Sequence, residues 1–283
     1  MLAISVLISV YRSEKGAYLA RALQSVWDDQ TRKPDQIVLV EDGPVSAELE
    51  QVIRDSQLTI EASGVAKMVV VKLPVNEGLT KALNAGLKYV TGDLVARMDS
   101  DDIAAPRRFE LQERFFVEHP DVDIIGGSMQ EFDDEHECLN VRHYPLTHED
   151  ACKYIVKACP LAHPAVMMRR QIFDNGLRYD ERYRMSQDIK LWYDVILSGY
   201  RIANLEEIVL FFRQQGDVFR RRSRVKAWNE FKIYMNGIYR MHGLFTFAYC
   251  YPIARYVFRN LPPLVVKWVY GSGMRKKVLE NNR

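Results

Sequence analysis

Short β-branched runs alternate with amphipathic stretches through the first 130 residues, and this alternation restricts the fold more than any other feature of the chain. Ala3–Val10, Gln36–Val40, Met68–Leu73 and Leu94–Met98 read as strands, the last opened by a Gly92-Asp93 turn. Tyr18–Trp27, Ala47–Ser56 and Leu79–Tyr89 read as the helices between them. In the third of these, Leu79, Ala82, Leu83, Ala85, Gly86 and Leu87 line one face at spacings near i, i+3, i+4. Strand alternating with helix predicts an α/β fold with a mostly parallel sheet flanked by helices, whose ligands bind beyond the carboxyl ends of the strands. The loops at those ends are all polar: Tyr11-Arg12-Ser13, Glu41-Asp42-Gly43, Asn76-Glu77-Gly78 and Asp99-Ser100-Asp101-Asp102.

Further along, the pattern predicts a helix from Pro106 to about His119, a strand at Val122–Met129, a helix at Asp188–Ser198 and a strand at Ile208–Phe212. Beyond Arg213 the composition turns basic and aromatic, which divides the chain into a body, 1–215, and an extension, 216–283. Charge follows the same division. Residues 1–212 carry 24 Lys and Arg against 34 Asp and Glu, whereas 213–283 carry 15 against 3. An acidic body with a basic tail points to phosphates, anionic lipid or nucleic acid as partners. Four cysteines (Cys138, Cys152, Cys159, Cys250) without a CxxC pair or a matching His cluster read as reduced thiols. The apolar run from Met1 to Val10 is too short for a signal peptide or a membrane span and reads as a buried first strand.

Asp99, Asp101 and Asp102 put three carboxylates within four residues at the end of an apolar strand. Such crowding is unfavourable unless a cation relieves it, and Mg²⁺ or Mn²⁺ is held by one or two carboxylates plus water and substrate phosphate. The plainer reading is a solvated loop whose aspartates cap the helix that starts near Pro106.

With these motifs in their order, residues 3–215 resemble the family 2 glycosyltransferases of the GT-A fold, a Rossmann-like class found in bacterial exopolysaccharide, capsule and lipopolysaccharide assembly. The resemblance implies an inverting, metal-dependent transfer of sugar from a nucleotide-diphosphate donor, expected to be a UDP-sugar, to a hydroxyl of a glycan. It implies Mn²⁺ or Mg²⁺ on Asp101 and Asp99, with Asp99 also near the sugar or ribose. Ser9, Tyr11, Arg12, Asp42, Asn76, Gly78 and Asn84 match donor-binding positions, with Asp42 expected on uracil. Arg213, after Leu210-Phe211-Phe212, matches a pyrophosphate contact. Asp188, in Ser186-Gln187-Asp188-Ile189-Lys190-Leu191-Trp192, takes the position of the catalytic base, and Gln187 stands where Glu is commoner. His163-Pro164 falls on the acceptor or phosphate side.

Each residue also has a bland alternative. Tyr11 could be a packing aromatic, Asp42 a turn former, Asn76 and Gly78 a helix cap, Asp188 a helix N-terminal carboxylate and His163 a structural histidine. Gln215 replaces a usual histidine, and Arg220-Arg221-Arg222 either substitutes for the missing contacts or forms a solvated basic face.

In the tail, aromatics from Trp228 to Tyr270 are interleaved with Lys232, Arg240, Arg255, Arg259 and Lys267, and Arg275-Lys276-Lys277 follows. The longest charge-free apolar run, Leu244–Ala254, is far short of a span, and Pro252, Pro262 and Pro263 interrupt the region. An interfacial segment on an anionic membrane face fits this pattern; a helical cap on the body is the alternative, and no nucleic-acid motif is present. The expected setting is therefore cytoplasmic, at the inner face of the cell membrane, with a polyprenyl-diphosphate-linked or other glycan as acceptor. The rival functions are a sugar-nucleotide nucleotidyltransferase, which would need a Gly-rich basic loop where Tyr11–Ala17 offers only Gly16, and an inactive membrane scaffold.

Overall fold

The computed structural model describes residues 1–214 and 224–260. The chain divides into two compact units, Met1–Gln215 and Gly216–Arg283. The Arg220-Arg221-Arg222 run, Lys267, Trp268, Tyr270 and the Arg275-Lys276-Lys277 cluster lie outside the described residues.

The first unit opens with four strands and three helices in strict alternation: β1 (Ile4–Val10), α1 (Gly16–Val26), β2 (Gln36–Glu41), α2 (Ala47–Ala62), β3 (Lys67–Lys72), α3 (Leu79–Leu87) and β4 (Leu94–Asp99). Then come β5 (Ile103–Ala104), α4 (Arg108–Glu118), β6 (Ile124–Phe132), β7 (Asn140–Arg142), α5 (His148–Tyr154), a 3₁₀ turn at His163–Ala165, β8 (Met167–Arg169), α6 (Gln171–Asp174), α7 (Gln187–Leu197) and β9 (Ile202–Arg213). One sheet gathers the strands in the order β3-β2-β1-β4-β8-β6-β9-β5, with β7 paired to β6. The strands β3, β2, β1 and β4 are mutually parallel, as are β6 and β9, whereas β8 is antiparallel to both β4 and β6.

Alternate residues of β1 and β4 serve opposite faces of the sheet. Ile4, Val6, Ile8, Ala96 and Met98 join the core beneath α1, α2 and α4. The opposite face takes α3, whose Gly86 lies so close that an added Cβ would meet Leu7 Cδ1 at 2.4 Å and Val40 Cγ2 at 2.7 Å. Ser9 of β1 stands in register with Asp99 of β4 and Val40 of β2, so the polar ends of three parallel strands share one edge.

The second unit contains α8 (Arg224–His242), a 3₁₀ turn at Phe247–Tyr249 and α9 (Cys250–Asn260). Trp228 and Phe231 of α8 pack on Tyr256 of α9, with ring centroids 5.7 Å and 4.9 Å apart. Arg259 of α9 pairs with buried Glu230 at 2.6 Å. Between the helices, Leu244, Phe245 and Phe247 stand out, 68%, 100% and 92% exposed. Among the described residues no helix is long and apolar enough to cross a membrane.

Candidate active site

The acidic loop follows β4 directly. Asp99, Asp101 and Asp102 each present a carboxylate oxygen, all within 4.8 Å of one another. None of them caps α4, whose N-cap residue is Arg107 with no side-chain bond to the helix amides. Burial, followed by the charges of Asp99 and Glu14, pushes the Asp101 pKa up to about 6. Burial and the charges of Asp99 and Asp101 raise Asp102 well above the usual carboxylate range. Asp102 Oδ1 accepts the Arg213 N–H at 2.9 Å, while Oδ2 is buried with no hydrogen-bond partner. Hard oxygen donors crowded to the point of resisting ionisation, one of them unpartnered, fit a divalent cation.

Arg213, at the end of β9, laces this loop in place. Its Nε donates to the Asp101 carbonyl at 3.0 Å and its Nη1 to Asp134 at 2.7 Å. The guanidinium lies over the rings of Tyr18 and Phe132, 4.0 Å and 4.5 Å from their centroids. From the other side, Ser100 donates to Glu14 at 2.8 Å.

Asp42 is buried at the end of β2, and its carboxylate accepts the backbone N–H groups of Glu77 at 2.7 Å and Gly78 at 3.0 Å. It thereby holds the segment that leads into α3, and Asn76 donates to the Asp42 carbonyl at 3.2 Å. Gly78, with φ +93°, adopts a conformation that suits glycine alone. Asn84 of α3 is also committed: it bonds the backbone of Tyr179 and the Glu181 carboxylate. Tyr11 and Arg12 are exposed beyond β1, and Ser9 is half-buried at its end.

Asp188 lies in the first turn of α7, next to buried Gln187. The Cys159 thiol reaches its Oδ2 at 3.9 Å. Ser186, which enters this helix, is the one non-glycine residue among those described with a left-handed backbone (φ +65°), a strain that requires support from its surroundings. One turn on, Trp192 meets His163 edge to face at 6.0 Å, and His163 Nε2 bonds the Tyr179 hydroxyl at 2.8 Å. Burial first, and the Arg97 charge second, hold the His163 pKa well below its ordinary value, so the ring is neutral. Burial raises the Tyr179 phenol; Arg97 opposes that rise, and Asp188 and Asp99 both add to it. Asp188 and Asp99, 89 residues apart in the chain, thus act in the same direction on one buried phenol.

Four participants escaped the sequence reading: Arg97, Tyr179, Asp134 and Glu14. Only Arg97 left a signal, as a charged residue inside the apolar run Leu94–Met98.

The fold is that of the GT-A glycosyltransferases, with an acidic loop at the end of a central strand, and residues 5–177 match the model of glycosyl transferase family 2. The chain belongs to that family and is a glycosyltransferase. It is 37% identical over 279 residues to an uncharacterized glycosyltransferase of Haemophilus influenzae, covering 96% of this chain and 99% of the relative. It is 34% identical to the amylovoran biosynthesis glycosyltransferase AmsE of Erwinia amylovora, over 94% and 97% of the two chains. The UDP-Gal:alpha-D-GlcNAc-diphosphoundecaprenol beta-1,3-galactosyltransferase of Escherichia coli is 29% identical, over 78% of each chain. Among solved structures, Staphylococcus aureus TarS 1-349 with UDP-GlcNAc superposes with a TM-score of 0.59 at 17% identity, covering 91% of this chain and 81% of that one. The mannosyltransferase PcManGT of Pyrobaculum calidifontis, with GDP-Man and Mn²⁺, gives 0.62 at 13% identity, covering 96% and 80%. These two likenesses concern the fold.

Proposed function

We propose that the chain transfers a sugar, with inversion, from a UDP-sugar to a hydroxyl of a polyprenyl-diphosphate-linked glycan during assembly of a surface polysaccharide. The observation that supports this reading is that Asp188 and Asp99, far apart in the chain, both help to raise the phenol of the same buried residue, Tyr179. The names of the AmsE and galactosyltransferase relatives support the class of pathway, donor and acceptor.

Asp188 removes the proton of the acceptor hydroxyl as its oxygen attacks the anomeric carbon. The bond to the diphosphate breaks in the same displacement, and its electron pair leaves with the phosphate. A base so positioned contributes about 10²–10⁴-fold. Mn²⁺ or Mg²⁺ on Asp101 and Asp99 would stabilise the charge gathering on the departing diphosphate. Ser9, Tyr11, Arg12, Asn76 and Gly78 line the donor side. Asp42, Asn84 and Arg213 also stand on that side and hold the segments around it through the bonds described above. Neutral His163 and buried Gln187 shape the acceptor side.

The exposed Leu244, Phe245 and Phe247 belong to a stretch, 224–260, that carries six Lys or Arg and a single acidic residue, Glu230. That combination supports peripheral attachment to an anionic bilayer. Sedimentation with anionic vesicles should be lost in the F245E/F247E variant; equal sedimentation of the two proteins would overturn the attachment.

A panel of nucleotide sugars, offered with Mn²⁺ and a polyprenyl-diphosphate-linked sugar, tests the reaction. Release of UDP together with an extended lipid-linked product is expected. Release of GDP alone would overturn the donor, and turnover confined to free sugars would overturn the acceptor.

A further inference from the structure

Arg97 is 1% exposed, and its Nη2 pairs with Asp99 Oδ1. Its Nε and Nη1 are buried with no hydrogen-bond partner. A buried, unsatisfied donor gives up water without regaining a bond, so a guanidinium in this state is a poor choice if only the strand needs filling. Two more guanidiniums stand close by. Arg108, fully buried, donates to the Arg97 carbonyl at 2.7 Å, and Arg213 donates to the Asp101 carbonyl.

Charge counting gives this arrangement a meaning. Asp99, Asp101, Asp102, Glu14 and Asp134 set five carboxylates against four cations, Arg97, Arg108, Arg213 and, beside Asp134, Lys15. A divalent cation arriving alone meets a nearly balanced site, and one oxygen of Asp99 is already claimed. A nucleoside diphosphate brings the missing negative charge with it.

We propose that Arg97 is a positioning residue that makes divalent-cation binding conditional on the diphosphate, by occupying Asp99 and holding a fixed positive charge behind the acidic loop. This rests on the metal-dependent reading above. Linkage requires that the cation tighten the diphosphate by the same factor as the diphosphate tightens the cation.

The test is calorimetric titration of Mn²⁺ into the full chain, with and without UDP. In the native protein UDP should tighten Mn²⁺ at least about tenfold. R97K keeps the cation and should keep that synergy. R97Q should bind Mn²⁺ alone at least about threefold more tightly, and its synergy should shrink correspondingly. R97Q binding Mn²⁺ alone no more tightly than the native chain would overturn the proposal, as would equal Mn²⁺ affinity with and without UDP in the native protein. If R97Q does not fold, R97M, which keeps an unbranched side chain in the same space without the charge, is titrated instead. The same tightening is expected, and its absence overturns the idea. Binding of Mn²⁺ in neither state would instead remove the metal reading itself, and the proposal with it.

Discussion

Asn84 and Tyr179 exchange two hydrogen bonds across 95 residues of chain: the Asn84 amide donates to the Tyr179 carbonyl at 2.9 Å and accepts the Tyr179 N–H at 3.1 Å. A third bond ties the same amide to Glu181, and Thr80, one turn earlier on α3, donates to the Tyr183 carbonyl at 2.7 Å. The helix whose lead-in Asp42 holds thus also fixes the segment that carries Tyr179.

Replacing Asn84 with Ala leaves a buried N–H and carbonyl unpaired, at a cost of about 1–3 kcal/mol each. N84A is expected to lower the denaturation midpoint markedly and the transfer rate with it, while UDP affinity falls far less. A variant of native stability with abolished UDP binding would make Asn84 a direct donor contact instead.

Asp101 governs the pH response. Its folded pKa of about 6 lies above the ordinary 3.8, so the cation-free fold binds more protons than the unfolded chain between those values. Stability contributed by this group therefore falls as pH rises from 3.8 to about 6. D101N stays neutral and should melt above the native protein at pH 7.5, by roughly 2–4 °C for each kcal/mol of crowding relieved. That gap should narrow as pH drops through 6, and Mn²⁺-dependent UDP binding should be absent from D101N at every pH. Parallel melting curves at all pH values would refute the assignment.

For Asp188, the discriminating variant is D188N. UDP and Mn²⁺ should bind as in the native chain, with transfer reduced about 10²–10⁴-fold. Single-turnover rates read this directly, and near-native transfer would remove Asp188 as the base.

Gly86 offers a purely steric check. An alanine Cβ there would press on Leu7 and Val40 from the far side of the sheet. G86A should cost about 1–3 kcal/mol by overpacking, seen as a lower urea midpoint. An unchanged midpoint would mean that α3 shifts freely on β1 and β2.

Legibility in the sequence followed the range of the interactions. The strands β1 to β4 were readable because their apolar runs end in polar turns, a local pattern. The two-residue β5 and three-residue β8 were not, since only pairing with β9, β4 and β6 makes them strands. The sequence pattern predicts β9 from Ile208, but the strand starts at Ile202; Glu206 and Glu207 interrupt its apolar pattern, where its register with β6 shifts around Ser128. Within the site, Asp42, Asp101 and Asp188 stood out as carboxylates at element ends. The partner of Asp42, the Gly78 amide, is 36 residues away, and the burial of Arg97 exists only once the sheet is assembled.

The stitching of the acidic loop by Arg213 sets an outer border on how far this enzyme can be shortened. Ending the polypeptide at Phe212 would take away the amide that holds Asp102, the guanidinium that props the Asp101 carbonyl and the counterion of Asp134 in a single stroke. Every carboxylate named for the chemistry would survive such trimming, yet the loop that carries Asp99 and Asp101 would come unlaced.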